Sequence, residues 1–457
     1  MERKYLSYLE KWLKDPRRKP LMVWGARQVG KSYLIEEMFA KKWFPNRYVR
    51  IDCSDDNAFV NFVYNNNNLE KVLDYLRINY DFVPNGDNLL IFDEAQECLP
   101  LIKMMKHFCE KQRQIPLIVT GSMVRIKISR EAHKRGGRSD NDKFMFPVGK
   151  INELVMYPLT FDEFLLNYNA NLYDYLKDNF ARKKALDPAF HQIAMDAFDD
   201  YLFVGGMPEV VDVFIENKDD RVGSYILVNN KVKEIYDNYL ADMDLYQASR
   251  ESIIRSRLIF KDIYKQLNKE NKNFKFSLTK EGAKNRDMVN PIGWLSEAKV
   301  VNQSFLLKER VTSPLIKEED SLTRLYLSDM GMFTYQSGIN AKTFLTNKDN
   351  ALSGIFFENY VACELAARGF DVFYWKGKRN SEFEFLIDIN GDIVPIDVKK
   401  GKDRLNSLDE FRQHNKKGLA IKVSANQYGF DEANNLLTIP FYYLPFYLDD
   451  LQKGANN

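Results

Sequence analysis

The stretch Gly25-Ala26-Arg27-Gln28-Val29-Gly30-Lys31-Ser32 constrains this chain more than any other, because it fits G-x-x-x-x-G-K-[ST] and joins two different hydrophobic patterns. Before it, Leu21-Met22-Val23-Trp24 reads as a buried strand; after it, Leu34, Ile35, Met38 and Phe39 fall at helical spacing. Glycine lets consecutive backbone N–H groups close around phosphate oxygens, and the helix N-terminus turns its partial positive charge toward the anion. The expected ATP-binding set is Gly25, Arg27, Gln28, Val29, Gly30, Lys31, Ser32 and Tyr33. Lys31 would reach the β and γ phosphates, and the Ser32 hydroxyl would ligate Mg²⁺.

A second motif belongs with the first. Leu89-Leu90-Ile91-Phe92 ends in Asp93-Glu94, an apolar strand with two carboxylates at its C-terminal edge. Asp93 would hold the Mg²⁺ shell and Glu94 would orient and deprotonate the attacking water. Tyr48-Val49-Arg50-Ile51 reads as another strand, and Leu69, Val72, Leu73 and Leu76 as a helix packed on the sheet. Leu117-Ile118-Val119 leads into Thr120-Gly121-Ser122, where Ser122 is expected to sense the γ-phosphate. Lys31, Glu94 and Ser122 are therefore the expected catalytic residues, and Ser32 and Asp93 the metal ligands.

A chain of 457 residues exceeds one hydrophobic core, and about three domains are expected. With 66 basic against 64 acidic residues, overall charge gives no nucleic-acid or membrane signal. A basic excess is local, from Arg125 to Lys143, and reads as a mobile loop that is either solvated surface or a nucleic-acid contact. Cys53, Cys98, Cys109 and Cys363 form no C-x-x-C pair and read as small buried apolar residues. The N-terminal stretch lacks the apolar core of a signal peptide and no run approaches a membrane span, so a cytoplasmic protein is the expectation.

Three further segments carry a resemblance: Tyr157-Pro158-Leu159-Thr160-Phe161-Asp162-Glu163-Phe164-Leu165, Tyr201-Leu202-Phe203-Val204-Gly205-Gly206-Met207-Pro208, and Gly354 to Gly401. With the two phosphate-site motifs, they resemble the prokaryotic AAA+-type ATPases that carry a C-terminal domain of unknown function. The resemblance implies an α/β chain: a P-loop parallel sheet over 1–165, a helical lid over 166–245, a winged-helix-like region over 246–345, and a small α/β domain over 346–457. That last domain is similar to restriction-endonuclease-like nucleases. Relatives often place Gly-Arg before the Tyr-Pro-Leu segment to contact nucleotide in a neighbouring subunit. This chain has Gly149-Lys150, and lysine lacks the bidentate fork.

Periodicity divides the C-terminal unit into helix 355–368, strands 371–376, 382–389 and 392–398, helix 407–415 and strand 419–424. The nuclease resemblance puts a metal or catalytic set at Glu358, Glu384, Asp397 and Lys399. Here Glu384 stands where aspartate is usual, and Asp397-Val398-Lys399 where Glu-x-Lys is usual. Asn390-Gly391 suits a type I′ turn, which sets Ile389 opposite Asp392, Leu386 opposite Pro395 and Glu384 opposite Asp397. Like charges directly opposed need a positive neighbour, either Lys399 or a second Mg²⁺ or Mn²⁺.

The expected activity is Mg²⁺-dependent ATP hydrolysis that drives or gates the C-terminal domain. A slow nucleotide-dependent switch with a protein partner, and a DNA-binding ATPase that cuts nothing, remain as alternatives. The subunit number stays open.

Overall fold

The computed structural model describes residues 1–122, 147–246, 249–275, 289–308, 310–318, 322–352, 354–377, 381–399, 406–415 and 417–455. The basic stretch 125–143 lies outside them.

Five short apolar strands build the first sheet: β1 Leu21–Gly25, β2 Tyr48–Asp52, β3 Leu89–Asp93, β4 Leu117–Gly121 and β5 Asn152–Met156. Their order is β2-β3-β4-β1-β5, and every neighbouring pair is parallel. Alternate residues enter separate cores. Leu21, Val23, Leu89, Ile91 and Ile118 pack on one face; Met22, Trp24, Leu90, Phe92, Leu117 and Val119 pack on the other. A parallel sheet covered on both faces explains why these strands read as continuous apolar runs. β4 separates β1 from β3, so the strand ending at Ser122 lies between the two phosphate-site motifs.

From residue 161 the chain is helical, with Phe161–Tyr168, Ala170–Ala181, Pro188–Val204, Pro208–Glu216, Arg221–Tyr246 and Arg250–Leu267. The Gly205-Gly206 break is a close backbone crossing: a Cβ on Gly206 would lie 2.0 Å from the Leu159 carbonyl oxygen. Gly206 also accepts a hydrogen bond from the Leu159 N–H at 2.7 Å. The buried Asp329 carboxylate accepts from the Gly206 N–H at 2.7 Å and from the Met332 N–H at 2.9 Å. Two motifs distant in sequence are thereby fastened to the chain at Asp329.

The second sheet contains β6 Val301–Lys308, β7 Thr323–Leu327, β8 Phe373–Lys376, β9 Glu382–Ile389, β10 Asp392–Lys399, β11 Ala420–Ser424, β12 Gly429–Asp431 and β13 Leu436–Pro440. Its order is β12-β13-β11-β10-β9-β8-β6-β7. The hairpin β6–β7, in the region expected to be winged-helix-like, forms the edge of this sheet, with β6 pairing in parallel to β8. On one side of β6, Asn302, Ser304 and Leu306 are buried; on the other, Val301 and Leu307 are buried while Gln303 and Phe305 are half-buried. The expected boundary between residues 345 and 346 therefore runs through one sheet.

The β9–β10 register is as the turn chemistry dictates. Asp392 pairs with Ile389 and Pro395 with Leu386, and both turn residues are left-handed, Asn390 at φ 53° and Gly391 at φ 95°. The helices Gly354–Ala367 and Asn406–His414 fall within a residue or so of expectation, whereas β12, β13 and the terminal helix Leu444–Ala455 were not read from the sequence.

A buried ionic junction joins the sheets. Arg368 contacts Asp162 at 3.2 Å, Glu364 at 2.5 Å and Asp449 at 2.6 Å; Lys4 pairs with Asp162 and Asp449; and the Phe161 N–H donates to Glu364 at 2.9 Å. The four cysteines are all buried. Among the described residues no helix is long and apolar enough to cross a membrane.

Candidate nucleotide site

The loop after β1 adopts the conformation its glycines permit. Gly30 sits at φ 86° and Gln28 at φ 62°, while a Cβ on Gly25 would lie 2.1 Å from the Met156 carbonyl oxygen on β5. Arg3 braces the loop from behind: Nη1 donates to the Val29 carbonyl at 2.8 Å, Nη2 to the Tyr157 carbonyl at 2.7 Å, and Nε contacts Glu163 at 3.2 Å. No local pattern marks Arg3 for this role.

Lys31 is buried, and its ammonium donates to the carbonyls of Ala26 at 2.7 Å and Gly25 at 3.3 Å. Burial pulls its pKa down to about 8, against the attraction of Glu94 and Asp93. An ammonium held by two loop carbonyls still has a donor to give, which suits an incoming phosphate oxygen. Ser32 hydrogen-bonds Asp93, joining the two expected metal ligands. Tyr33 is half exposed and faces the N-terminal amine at 3.3 Å.

Asp93 ends β3 beside two partners that sequence reasoning did not assign to it. The Thr120 hydroxyl donates to Oδ1, and Arg50 on β2 reaches Oδ2 at 2.6 Å through Nη2 and at 3.2 Å through Nε. Burial opposes the Asp93 charge, but the hydrogen bonds from Thr120, Arg50 and Ser32 prevail and hold the carboxyl below its ordinary range. An arginine inside the short strand Tyr48–Asp52 was the available signal for Arg50. Glu94 follows at φ 48°, its carboxylate accepting from Gln96 Nε2. Ser122 is buried at the end of β4, and its hydroxyl has no hydrogen-bond partner among the described residues.

The helix Arg221–Tyr246 closes the site from the other side. The Tyr239 hydroxyl donates to the Arg27 carbonyl at 2.7 Å, and Asp242 ion-pairs with the Arg27 guanidinium. Burial raises the Asp242 pKa; Arg27 opposes this and Glu94 adds to it. Lys150 pairs at the surface with Glu110 at 3.0 Å.

Residues 17–165 match the family model described as an AAA domain. The chain carries an AAA-type ATPase-like domain over these residues. Beyond it, residues 195–343 and 353–442 match two different domains of unknown function. No curated protein matches the chain by sequence. Among solved structures, a Walker-type ATPase of Pyrococcus abyssi is 15% identical, with 73% of this chain and 95% of that one covered and a TM-score of 0.44. AMPPCP-bound DnaA from Aquifex aeolicus is 12% identical, covering 64% of this chain and 86% of its own, at a TM-score of 0.25. A DNA replication initiation factor is 14% identical, covering 64% and 87%, at 0.23.

Outside the AAA domain, the second sheet sets Glu384, Asp397 and Lys399 together, and Glu384 acts electrostatically on Glu358 of the helix Gly354–Ala367. Lys399 Nζ lies 3.2 Å from Glu384 and 3.4 Å from Asp397, and the Val398 N–H donates to Glu384 at 3.1 Å. Glu358, on the helix Gly354–Ala367, is buried and paired with Lys272 at 2.5 Å. Burial pushes the Asp397 pKa up to about 7; Glu384 adds to this, while Lys399 and Lys422 oppose it. One oxygen each of Glu358 and Asp397 lacks a hydrogen-bond partner among the described residues. Among the described residues no group of three or more His, Cys, Asp or Glu side chains is arranged to hold a metal. As placed, these carboxylates face lysines, Lys399 across Glu384 and Asp397 and Lys272 at Glu358.

Proposed function

We propose that this chain is a Mg²⁺-dependent ATP hydrolase whose AAA domain works against the rest of the molecule. The observation that carries the reading is buried Lys31, held by the Gly25 and Ala26 carbonyls after β1, with β4 alone between β1 and β3, at whose end Asp93 and Glu94 stand. Lys31 would exchange the Gly25 and Ala26 carbonyls for β and γ phosphate oxygens. Ser32 and Asp93 would hold Mg²⁺, which supplies neutralising charge at the β/γ oxygens when bound. Glu94 would orient a water and take its proton as the water oxygen bonds to the γ-phosphorus; the bond to the bridging oxygen breaks and ADP departs. The Ser122 hydroxyl, with no other partner among the described residues, would donate to a γ-phosphate oxygen. Lys31→Ala should weaken ATP binding about 10- to 100-fold in a nucleotide titration, the worth of a hydrogen bond to a charged group. Unchanged affinity would overturn the assignment.

The nuclease-like reading of the C-terminal sheet is supported by the convergence of Glu358, Glu384, Asp397 and Lys399. The lysine bridge across Glu384 and Asp397 favours a version that does not cut. On that reading, millimolar Mn²⁺ leaves the thermal midpoint of an Asp93→Ala chain unshifted, the nucleotide-site ligand having been removed. A shift that Asp397→Ala then abolishes would restore a metal-using site. Stimulation of ATP turnover by DNA would mark nucleic acid as the partner, whereas turnover insensitive to DNA would leave a switch acting on protein.

A further inference from the structure

We propose that Arg27 and Asp242 form a latch through which the lid helix Arg221–Tyr246 reads a nucleoside triphosphate, Arg27 exchanging the Asp242 carboxylate for phosphate. The proposal rests on the ATPase reading of the same site and adds a positioning residue to it. Two residues three apart on one helix hold a single loop residue: Tyr239 takes the Arg27 carbonyl at 2.7 Å and Asp242 takes its guanidinium. The partners differ in freedom. The Asp242 side chain is 4% exposed, whereas the Arg27 side chain is 43% exposed. Asp242 Oδ2 is buried without a hydrogen-bond partner among the described residues, so the carboxylate depends heavily on its ion pair. Both groups stand among the site's other charges, since Glu94 acts on Asp242 and Arg27 acts on Lys31.

A triphosphate brings several negative charges to a place already holding Asp93, Glu94 and Asp242. It repels the buried Asp242 carboxylate and offers the guanidinium a multiply charged acceptor that matches its fork of donors. Once Arg27 turns to phosphate, Asp242 is a buried charge without its partner, a costly arrangement that a shift of the helix relieves. Tyr239 bonds to the backbone rather than to the guanidinium, so it holds through the exchange and serves as the pivot. ADP lacks the γ-phosphate and drives the exchange less.

The test is calorimetric titration of the full chain with Mg²⁺-AMPPCP and Mg²⁺-ADP. Asp242→Asn removes the charge and keeps the shape; it should bind AMPPCP about 10-fold tighter, with a smaller gain for ADP, and Arg27→Ala in the same background should remove most of that gain. Wild-type chain that binds AMPPCP while Asp242→Asn binds it no tighter overturns the latch. Wild-type chain that binds no nucleotide overturns the ATPase reading instead. Hydrogen exchange on the wild-type chain gives a measurement independent of any variant: AMPPCP should speed exchange around Tyr239 to Asp242 more than ADP does, and equal exchange with both would also overturn the latch.

Discussion

Ser122 concentrates the functional argument in one side chain. Its hydroxyl is buried without a partner among the described residues, so the nucleotide-free protein gains little from it. Ser122→Ala should change folding stability by less than about 1 kcal/mol. In steady-state ATPase assays it should lower kcat about 10- to 100-fold with a smaller effect on KM, because the lost donor acts on charge that grows in the transition state. A variant that is strongly destabilised yet turns over normally would make Ser122 a packing residue. At this scale the sequence was informative about identity and silent about partners. Lys31, Ser32, Asp93 and Glu94 are marked by local spacing. Arg3, Arg50 and Asp242 are not, because each acts across a long stretch of chain, and nothing near an arginine states which carboxylate it will meet.

Among the elements, the turn at Asn390-Gly391 shows what local chemistry can determine. Two left-handed residues and a proline at position 395 fix the pairing of β9 with β10, and that register brings Glu384 beside Val398 and Lys399. The winged-helix-like expectation for 246–345 did not show where β6 and β7 would go, since β6 finds its second partner in β8, far along the chain. Asp329 illustrates the same limit. Burial, opposed by backbone N–H groups that include those of Gly206 and Met332, raises its pKa from 3.8 to about 6. The folded state thus keeps a proton that the unfolded chain releases between those values. This group's stabilising contribution is fully present below pH 3.8 and is lost as pH rises through about 6. Asp329→Asn should flatten that part of the stability profile in urea unfolding at stepped pH; an unchanged slope would show that the proton is bound elsewhere.

Across the whole molecule, the two sheets are joined through buried charge rather than through a linker. Arg368, Asp162, Glu364, Lys4 and Asp449 form one connected cluster, and the Gly205-Gly206 crossing is fastened to Asp329. Breaking a buried pair by removing one partner is strongly destabilising, so the elements meeting at Arg368 and Asp162 are costly to pull apart. The segments from Tyr157 and from Tyr201 stood out in the sequence as motifs. Their purpose became readable only when Leu159 met Gly206 and Asp162 met Arg368. The proposed hydrolysis turns above all on Glu94 acting as the base. Phosphate release by wild-type and Glu94→Gln chains, measured alongside their ATP affinities, tests this most directly. The expected result is Mg²⁺-dependent release by the wild-type chain, and a variant that binds ATP within about threefold of wild type while releasing phosphate roughly 100-fold or more slowly. Equal release rates, or no release by the wild-type chain, would contradict it.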